Sequence, residues 1–300
     1  MTAPARTSNR PAGSAFRRRF RGASAGYLLI APAVIATVAF LIVPMLVSLY
    51  WSFTEFNGIK PPRFVGLENY QDLLAGRLFV KAFTNTVVFV ILGMAIGPTL
   101  GLASAILLDG SVRFRALFRA AFFLPTMTSL VVVATIWKLL YGDAGLVNTV
   151  IGFVGLPGHS WLADPGTALP AVVVTSIWQG FGFETVVFLA ALQSIPRELY
   201  DAARVDGAGA WAQFRNVTLP GLRYTIVFVY VIGIIGSFQV FDQVFVMTQG
   251  RPGISTRTMV YELIEQFQNL HLGTASAIAY ILLLILAVLS YIQIRLGEGD

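Results

Sequence analysis

Six times along this chain the sequence stays apolar for more than twenty residues. The runs are Ala25–Leu49, Phe83–Leu107, Ala120–Leu140, Ala168–Leu192, Thr225–Val246 and Ala275–Leu296. A helix needs about 20 predominantly apolar residues to cross the hydrocarbon core of a bilayer. Lipid offers no partners for backbone N–H and C=O groups, so an open chain can satisfy them there only as helix. The expected fold is therefore all-α: a polytopic membrane protein with six transmembrane helices. Composition agrees, with 56% hydrophobic residues, 12% charged residues and a mean hydropathy of +0.73. An ordinary soluble domain is about a quarter charged. The first run is about twice the length of a signal-peptide core, so it reads as a span and not as a leader.

Orientation follows from Lys and Arg, which accumulate on the cytoplasmic side of short loops. With the N-terminus inside, the cytoplasmic segments hold Arg6, Arg10, Arg17, Arg18, Arg19 and Arg21 in the Ser/Pro/Ala-rich tail of residues 1–24. They also hold Arg113, Arg115 and Arg119, then Arg197, Arg204, Arg215 and Arg223, and finally Arg295. The opposite side holds half as many: Lys60, Arg63, Arg77, Lys81, Lys138, Arg251 and Arg257. Both termini and the loop 194–222 are thus expected in the cytoplasm, with 25–296 as the transmembrane domain and 297–300 as a cytoplasmic end. The net charge of +6 is spread over loops as an orientation signal, which argues against a nucleic-acid partner. Among the outer loops, Phe64–Tyr70 (FVGLENY) is expected to form a short interfacial helix.

The loop itself, SIPRELYDAARVDGAGAWAQFRNVTLPGL, is too structured for a connector. Pro196 suits the start of a helix, where its missing N–H is not needed. Glu198 and Asp201 lie in the opening turns, where carboxylates suit the positive end of the helix dipole. Leu199, Ala202 and Ala203 make one small apolar face. Gly207 can take the left-handed conformation of a C-terminal cap. A second short helix is expected from about Ala210 to Val217, closed by Pro220. Such a helix–glycine–helix unit suits a groove in a partner.

These residues resemble the Glu-Ala-Ala loop of binding-protein-dependent ABC importer permeases, with spacing most similar to the sugar-importing branch. Asp201-Ala202-Ala203 occupies the Glu-Ala-Ala position, with Asp in place of Glu, and Gly207 the family's glycine. The resemblance spans about residues 25–296. It implies a type I importer permease fold and a coupling helix that docks in a cleft of a cytoplasmic ATPase through Glu198, Asp201, Ala202, Ala203, Asp206 and Gly207. It also implies a second homologous permease, an ATPase dimer carrying ATP and magnesium, and an extracytoplasmic solute-binding protein. The setting is then a bacterial or archaeal cell (inner) membrane.

Polar residues inside spans are costly without a cavity or partner. Ser176, Gln179 and Gly180 recur at helical spacing on one face of the fourth run, among Trp178, Phe181 and Phe183. Hydroxyl-binding groups beside aromatic rings suit a sugar. Glu184 lies about 12 Å from that run's inner end at 1.5 Å per residue, and should face water, a base or a proton. The fifth run offers Ser237, Gln239, Asp242 and Gln243. The third offers Thr126, Thr128 and Ser129 after a potentially kinking Pro125. The bland alternative is that small hydroxyls and glycines simply pack helices together. In the larger permease of maltose importers, a relative within that family, a sugar sits halfway across the membrane. The resemblance carries that site onto Thr126, Leu130, Ser176, Gln179, Gly180, Gly233 and Ser237, with Gln239 and Val240 close by. The family's Thr-x-Gly-Gly-Pro appears as Thr248–Pro252, with Arg251 in place of a glycine.

Other chemistry is missing. A P-loop places Lys after Gly to meet phosphates, but Lys60, Lys81 and Lys138 follow Ile, Val and Trp. ATP hydrolysis is therefore expected in a partner, and this chain is expected to be no enzyme. His159 and His271 cannot form a paired-His metal motif, and no cofactor or metal is expected. With no Lys or Arg near the middle of any run, the expected cargo is a neutral mono- to oligosaccharide. Rival readings are a permease for a glycerophosphodiester, amino acid or peptide, a secondary transporter using Glu184 and Asp242, and an intramembrane enzyme.

Overall fold

The computed structural model describes residues 27–110 and 113–298, with side chains as far as Arg295. The arginine tail of residues 1–24 lies outside the described residues, as do 299 and 300. Met1–Trp51 and Ser52–Asp300 form two compact units. The described part of the first, residues 27–51, belongs to helix α1, whose helical run is Tyr27–Ser52. A π-helical turn, Val38–Ile42, interrupts it just before Pro44.

The second unit opens with a small hairpin. Strand β1 (Thr54–Glu55) pairs antiparallel with β2 (Arg63–Phe64), Thr54 opposite Phe64 and Glu55 opposite Arg63. Asn57 Oδ1 accepts the N–H groups of Ile59 and Lys60 at 3.1 and 3.0 Å and turns the chain back. The interfacial helix starts later than its sequence suggested. Phe64 pairs as strand, and α2 is Glu68–Ala75. Asn69 explains the shift, because its Nδ2 donates to the carbonyls of Ser52 and Thr54, both at 2.9 Å. Tertiary hydrogen bonds thus outweigh local preference at this site.

The bundle follows: α3 (Arg77–Asp109), α4 (Arg115–Met127), α5 (Leu130–Leu140), α6 (Leu146–Phe153) and α7 (Ala168–Ser194). Then come α8 (Arg197–Val205), α9 (Ala210–Gly221), α10 (Arg223–Phe238), α11 (Asp242–Met247), α12 (Met259–Gln268) and α13 (Leu272–Glu298). Among the described residues, four helices are long and apolar enough to cross a membrane, and six spans result if each bent pair counts as one.

Helices α3 and α7 pack along each other. Gly93, Gly97, Gly101 and Ala105 recur every four residues on α3, a stripe of small side chains that lets two backbones approach. On another side of α7, Gly182 meets α4 so closely that a Cβ would lie 1.8 Å from the Phe122 carbonyl oxygen. Around the Ser194 end of α7, buried Ala105, Leu108, Phe188, Leu192, Ile195 and Leu222 form one core cluster. Further cores join α3 to α5, α7 and α11, and α3 to α10, α12 and α13.

The third run bends just after Pro125, where the sequence allowed a kink: α4 and α5 meet at 101° across Thr128–Ser129. Pro125 lies inside α4, and the Thr128 N–H closes a short turn onto its carbonyl at 3.1 Å. Two expectations need correction. The fifth run breaks after Phe238 and restarts at Asp242, where the freed Val240 carbonyl accepts the Thr258 hydroxyl at 3.0 Å. Finally, Pro220 does not close the second loop helix, which continues to Gly221. A proline crowds the carbonyl four residues back and cannot bond to it. Here, as at Pro44, that carbonyl falls in a wider π turn, Phe214–Thr218, whose end is closed by the Leu219 N–H on Phe214 O.

Candidate functional site

The broken helices α4–α5 and α10–α11 close around α3 and α7 to leave a cavity of about 510 Å³. That is the size of a small-molecule site. Thr126, Leu130, Ser176, Gln179, Gly180, Glu184, Gly233, Ser237 and Gln239 all line it. Ser129 does not: it precedes α5, is exposed, and its carbonyl takes the Val133 N–H at 3.0 Å.

The walls explain why the sequence bends where it does. Thr126 Oγ1 donates to the Gln179 carbonyl at 2.8 Å, and Gln179 Nε2 donates to the Thr128 carbonyl at 3.3 Å. The break in the third span therefore has its Thr128 carbonyl held by α7, as irregular backbone at membrane depth must be. Two polar atoms in the same walls have no partner, Ser176 Oγ and Glu184 Oε2. Buried polar groups are nearly always hydrogen-bonded, so these two atoms, buried within the wall, stand apart from the rest of the lining. Phe89, Phe181, Phe183 and Phe241 supply aromatic surface, and Asp242 and Gln243 add polar groups at the α10–α11 break.

Glu184 is set by glycines of α3 that lie outside the expected path residues. A Cβ on Gly97 would lie 3.2 Å from its Oε2. Gly93 and Gly97 also line the cavity. Their four-residue spacing was the available signal.

At the Ser194 end of α7 the chain turns through Pro196 into α8. The Gly207 N–H bonds to Arg204 O and the Ala208 N–H to Ala203 O, at 3.0 and 2.8 Å, with Gly207 at φ +76°. This is a Schellman cap, which favours glycine at that position. The Tyr200 hydroxyl and Thr218 Oγ1 lie 3.1 Å apart, and Gln213 Nε2 donates to Ala208 O at 2.8 Å. Those bonds tie α8 to α9 as one elbow. Glu198, Asp201, Ala202, Asp206 and Gly207 are exposed and Ala203 half-buried. Asp201 pairs with Arg204 at 2.8 Å. Leu199, Val205 and Trp211 are also exposed, 51%, 88% and 72%. The last two went unnoticed because neither continues the small apolar face.

A second polar cluster pins the loop after α11. Asn85 Nδ2 donates to the carbonyls of Ile254 and Arg257 at 3.0 and 2.9 Å, and Thr86 Oγ1 accepts the Met259 N–H. Arg257 pairs with Glu262 at 3.2 Å and with Glu265.

Comparison with known proteins supplies the family. The model for "Binding-protein-dependent transport system inner membrane component" matches residues 93–296. A probable starch degradation products transport system permease protein of Thermoanaerobacterium thermosulfurigenes is 32% identical over 275 residues, covering 91% of this chain and 93% of its own. The arabinooligosaccharides transport system permease protein of Halalkalibacterium halodurans is 35% identical over 277 residues, covering 90% and 86%. A bacterial alginate ABC transporter, solved in complex with an alginate pentasaccharide-bound periplasmic protein, has the same fold. Its TM-score is 0.83 at 22% identity, over 94% of this chain and 96% of that one. The chain belongs to the family of binding-protein-dependent transport system inner membrane components, the permeases of ABC transporters.

Proposed function

We propose that this chain is a permease subunit of an ATP-driven carbohydrate importer in the cell membrane. It forms half of the translocation path for a mono- or oligosaccharide and is moved through the elbow of residues 194–222 by a cytoplasmic ATPase. One observation carries the reading: the single helix α7 holds the cavity-lining Ser176, Gln179 and Glu184 along its length and runs directly into the exposed α8–α9 elbow. Both of the relatives named above are described as permeases for carbohydrates.

The mechanics follow from that connection. Leu222 and Ile195 are buried in one cluster, so the elbow is packed against the start of α10 as well as the end of α7. A push on α8 is transmitted to both helices and hence to opposite walls of the cavity. Closure of an ATPase dimer around ATP and magnesium would open the cavity outward, where a solute-binding protein delivers sugar. Hydrolysis would let it relax inward. This is a two-state equilibrium biased from both faces. A second, similar permease would supply the remaining wall, and both termini of this chain would lie in the cytoplasm.

The test is reconstitution of the co-purified complex in vesicles. ATP hydrolysis should rise when a sugar-loaded binding protein is added, with uptake of labelled sugar. Uptake that survives ATP depletion and collapses with the proton gradient would instead make this a secondary transporter.

A further inference from the structure

The cavity holds a carboxyl with nothing to neutralise it. Glu184 is only 9% exposed, its Oε2 has no hydrogen-bond partner, and it forms no ion pair among the described residues. Its position is built. Gly97 and Gly101, one turn apart on α3, form a slot in which the side chain lies. A Cβ at Gly101 would stand 2.6 Å from the Glu184 Cβ, and one at Gly97 would stand 3.2 and 3.3 Å from the two carboxyl oxygens. At Gly101 only glycine leaves that room. The other titratable residue of the lining is Asp242, and no Lys, Arg or His lines the cavity.

An acidic group kept in a low-dielectric wall, without a base, needs its donor from elsewhere. Oε2 itself is buried against the glycine slot, so a donor carried by the occupant of the cavity can reach the carboxyl only at its other oxygen. A sugar hydroxyl or an ammonium group would satisfy Glu184. A carboxylate or phosphate on the cargo would enter a space lined by the carboxyls of Glu184 and Asp242 with no cation to balance it. We propose that Glu184 is a specificity-determining residue of the cavity, accepting a hydrogen bond from the cargo and barring sugars that carry a negative charge. The inference rests on the carbohydrate reading above and goes further, because it assigns charge selectivity to one side chain.

The test uses the purified complex of permeases and ATPase in nanodiscs, without binding protein, so that selectivity belongs to the membrane path. Equilibrium binding is measured for maltotriose, lactose, arabinotriose and trehalose. The tightest binder is then compared with its counterpart in which a terminal CH₂OH is oxidised to a carboxylate. The wild-type complex should prefer the neutral sugar by at least about tenfold. Glu184→Gln, which keeps the volume, should weaken neutral binding and shrink the preference to within about threefold. Equal binding of the pair by the wild-type complex would overturn the charge filter without any variant, and so would an unchanged preference in Glu184→Gln. Binding of none of the four neutral sugars would overturn the carbohydrate reading itself.

Discussion

Gly101 on α3 and Glu184 on α7 stand so close that a methyl group on the glycine would lie 2.6 Å from the Cβ of the glutamate. The two helices of the cavity wall therefore touch through backbone at this level. Gly101→Ala should push α3 and α7 apart and cost about 1–3 kcal/mol, as overpacking does. Gly97→Ala meets only the flexible end of the same side chain, at 3.2 Å, and should cost less. Thermal unfolding of the purified complex ranks the two, and equal losses would contradict the slot.

Gly182→Ala should be worse than either. Its Cβ would fall 1.8 Å from a backbone oxygen, that of Phe122, and a backbone cannot swing aside as a side chain can. Gly221→Ala meets the Ile195 side chain at 2.7 Å, which can rotate. The expected outcome is loss of assembled complex for Gly182→Ala and near-normal yield for Gly221→Ala, read by size-exclusion chromatography.

At the elbow, Gly207→Ala forces a Cβ into a left-handed conformation at φ +76°, a strain of about 1–2 kcal/mol. Asp201→Arg reverses an exposed charge that pairs only with Arg204 among the described residues. Both variants should express and bind sugar normally. Both should uncouple ATP hydrolysis from transport, seen as a lost response to the loaded binding protein. Normal uptake in both would count against docking through α8.

Gln179 bridges the broken third span and faces the cavity. Gln179→Leu removes the donor to the Thr128 carbonyl, worth about 0.5–1.5 kcal/mol, together with a candidate sugar contact. Sugar affinity should fall several-fold while the complex stays assembled. Thr126→Val, which removes the second bond of the bridge, should weaken assembly and leave affinity less affected. Isothermal titration separates the two.

Orientation can be read directly, because the chain has no cysteine. Ile59 in the hairpin and Val205 at the end of α8 are 78% and 88% exposed. A membrane-impermeant maleimide should label Ile59→Cys in intact spheroplasts, and Val205→Cys only after permeabilisation. The reverse pattern would place the elbow on the wrong face for an ATPase.

Much of this was legible in one dimension. Apolar length announced the spans, and Pro196, the Asp201-Ala202-Ala203 triplet and Gly207 outlined the elbow with its capped end. Nine of the ten residues expected in the path do share one cavity. Ser129 was misplaced because it adjoins the residues that line it, and adjacency says nothing about direction once a helix breaks. Pro125 pointed to a kink in the third run but not to its angle, and nothing pointed to the break after Phe238. The polar stretch Thr126–Ser129 after Pro125 in Ala120–Leu140 marks where the chain can bend, but hydropathy carries no angle.

By itself the sequence determined that this chain lives in lipid, crosses it as helices, and presents one capped polar elbow between two spans. Those properties depend on composition and on neighbours a few residues apart, where helix geometry is rigid. Only the tertiary structure decided where the spans bend and which carboxyl is left alone in the wall. The donor that holds the Thr128 carbonyl, and the glycines that make room for Glu184, come from segments about fifty to ninety residues away. No local period records which distant backbone will come close enough to need them.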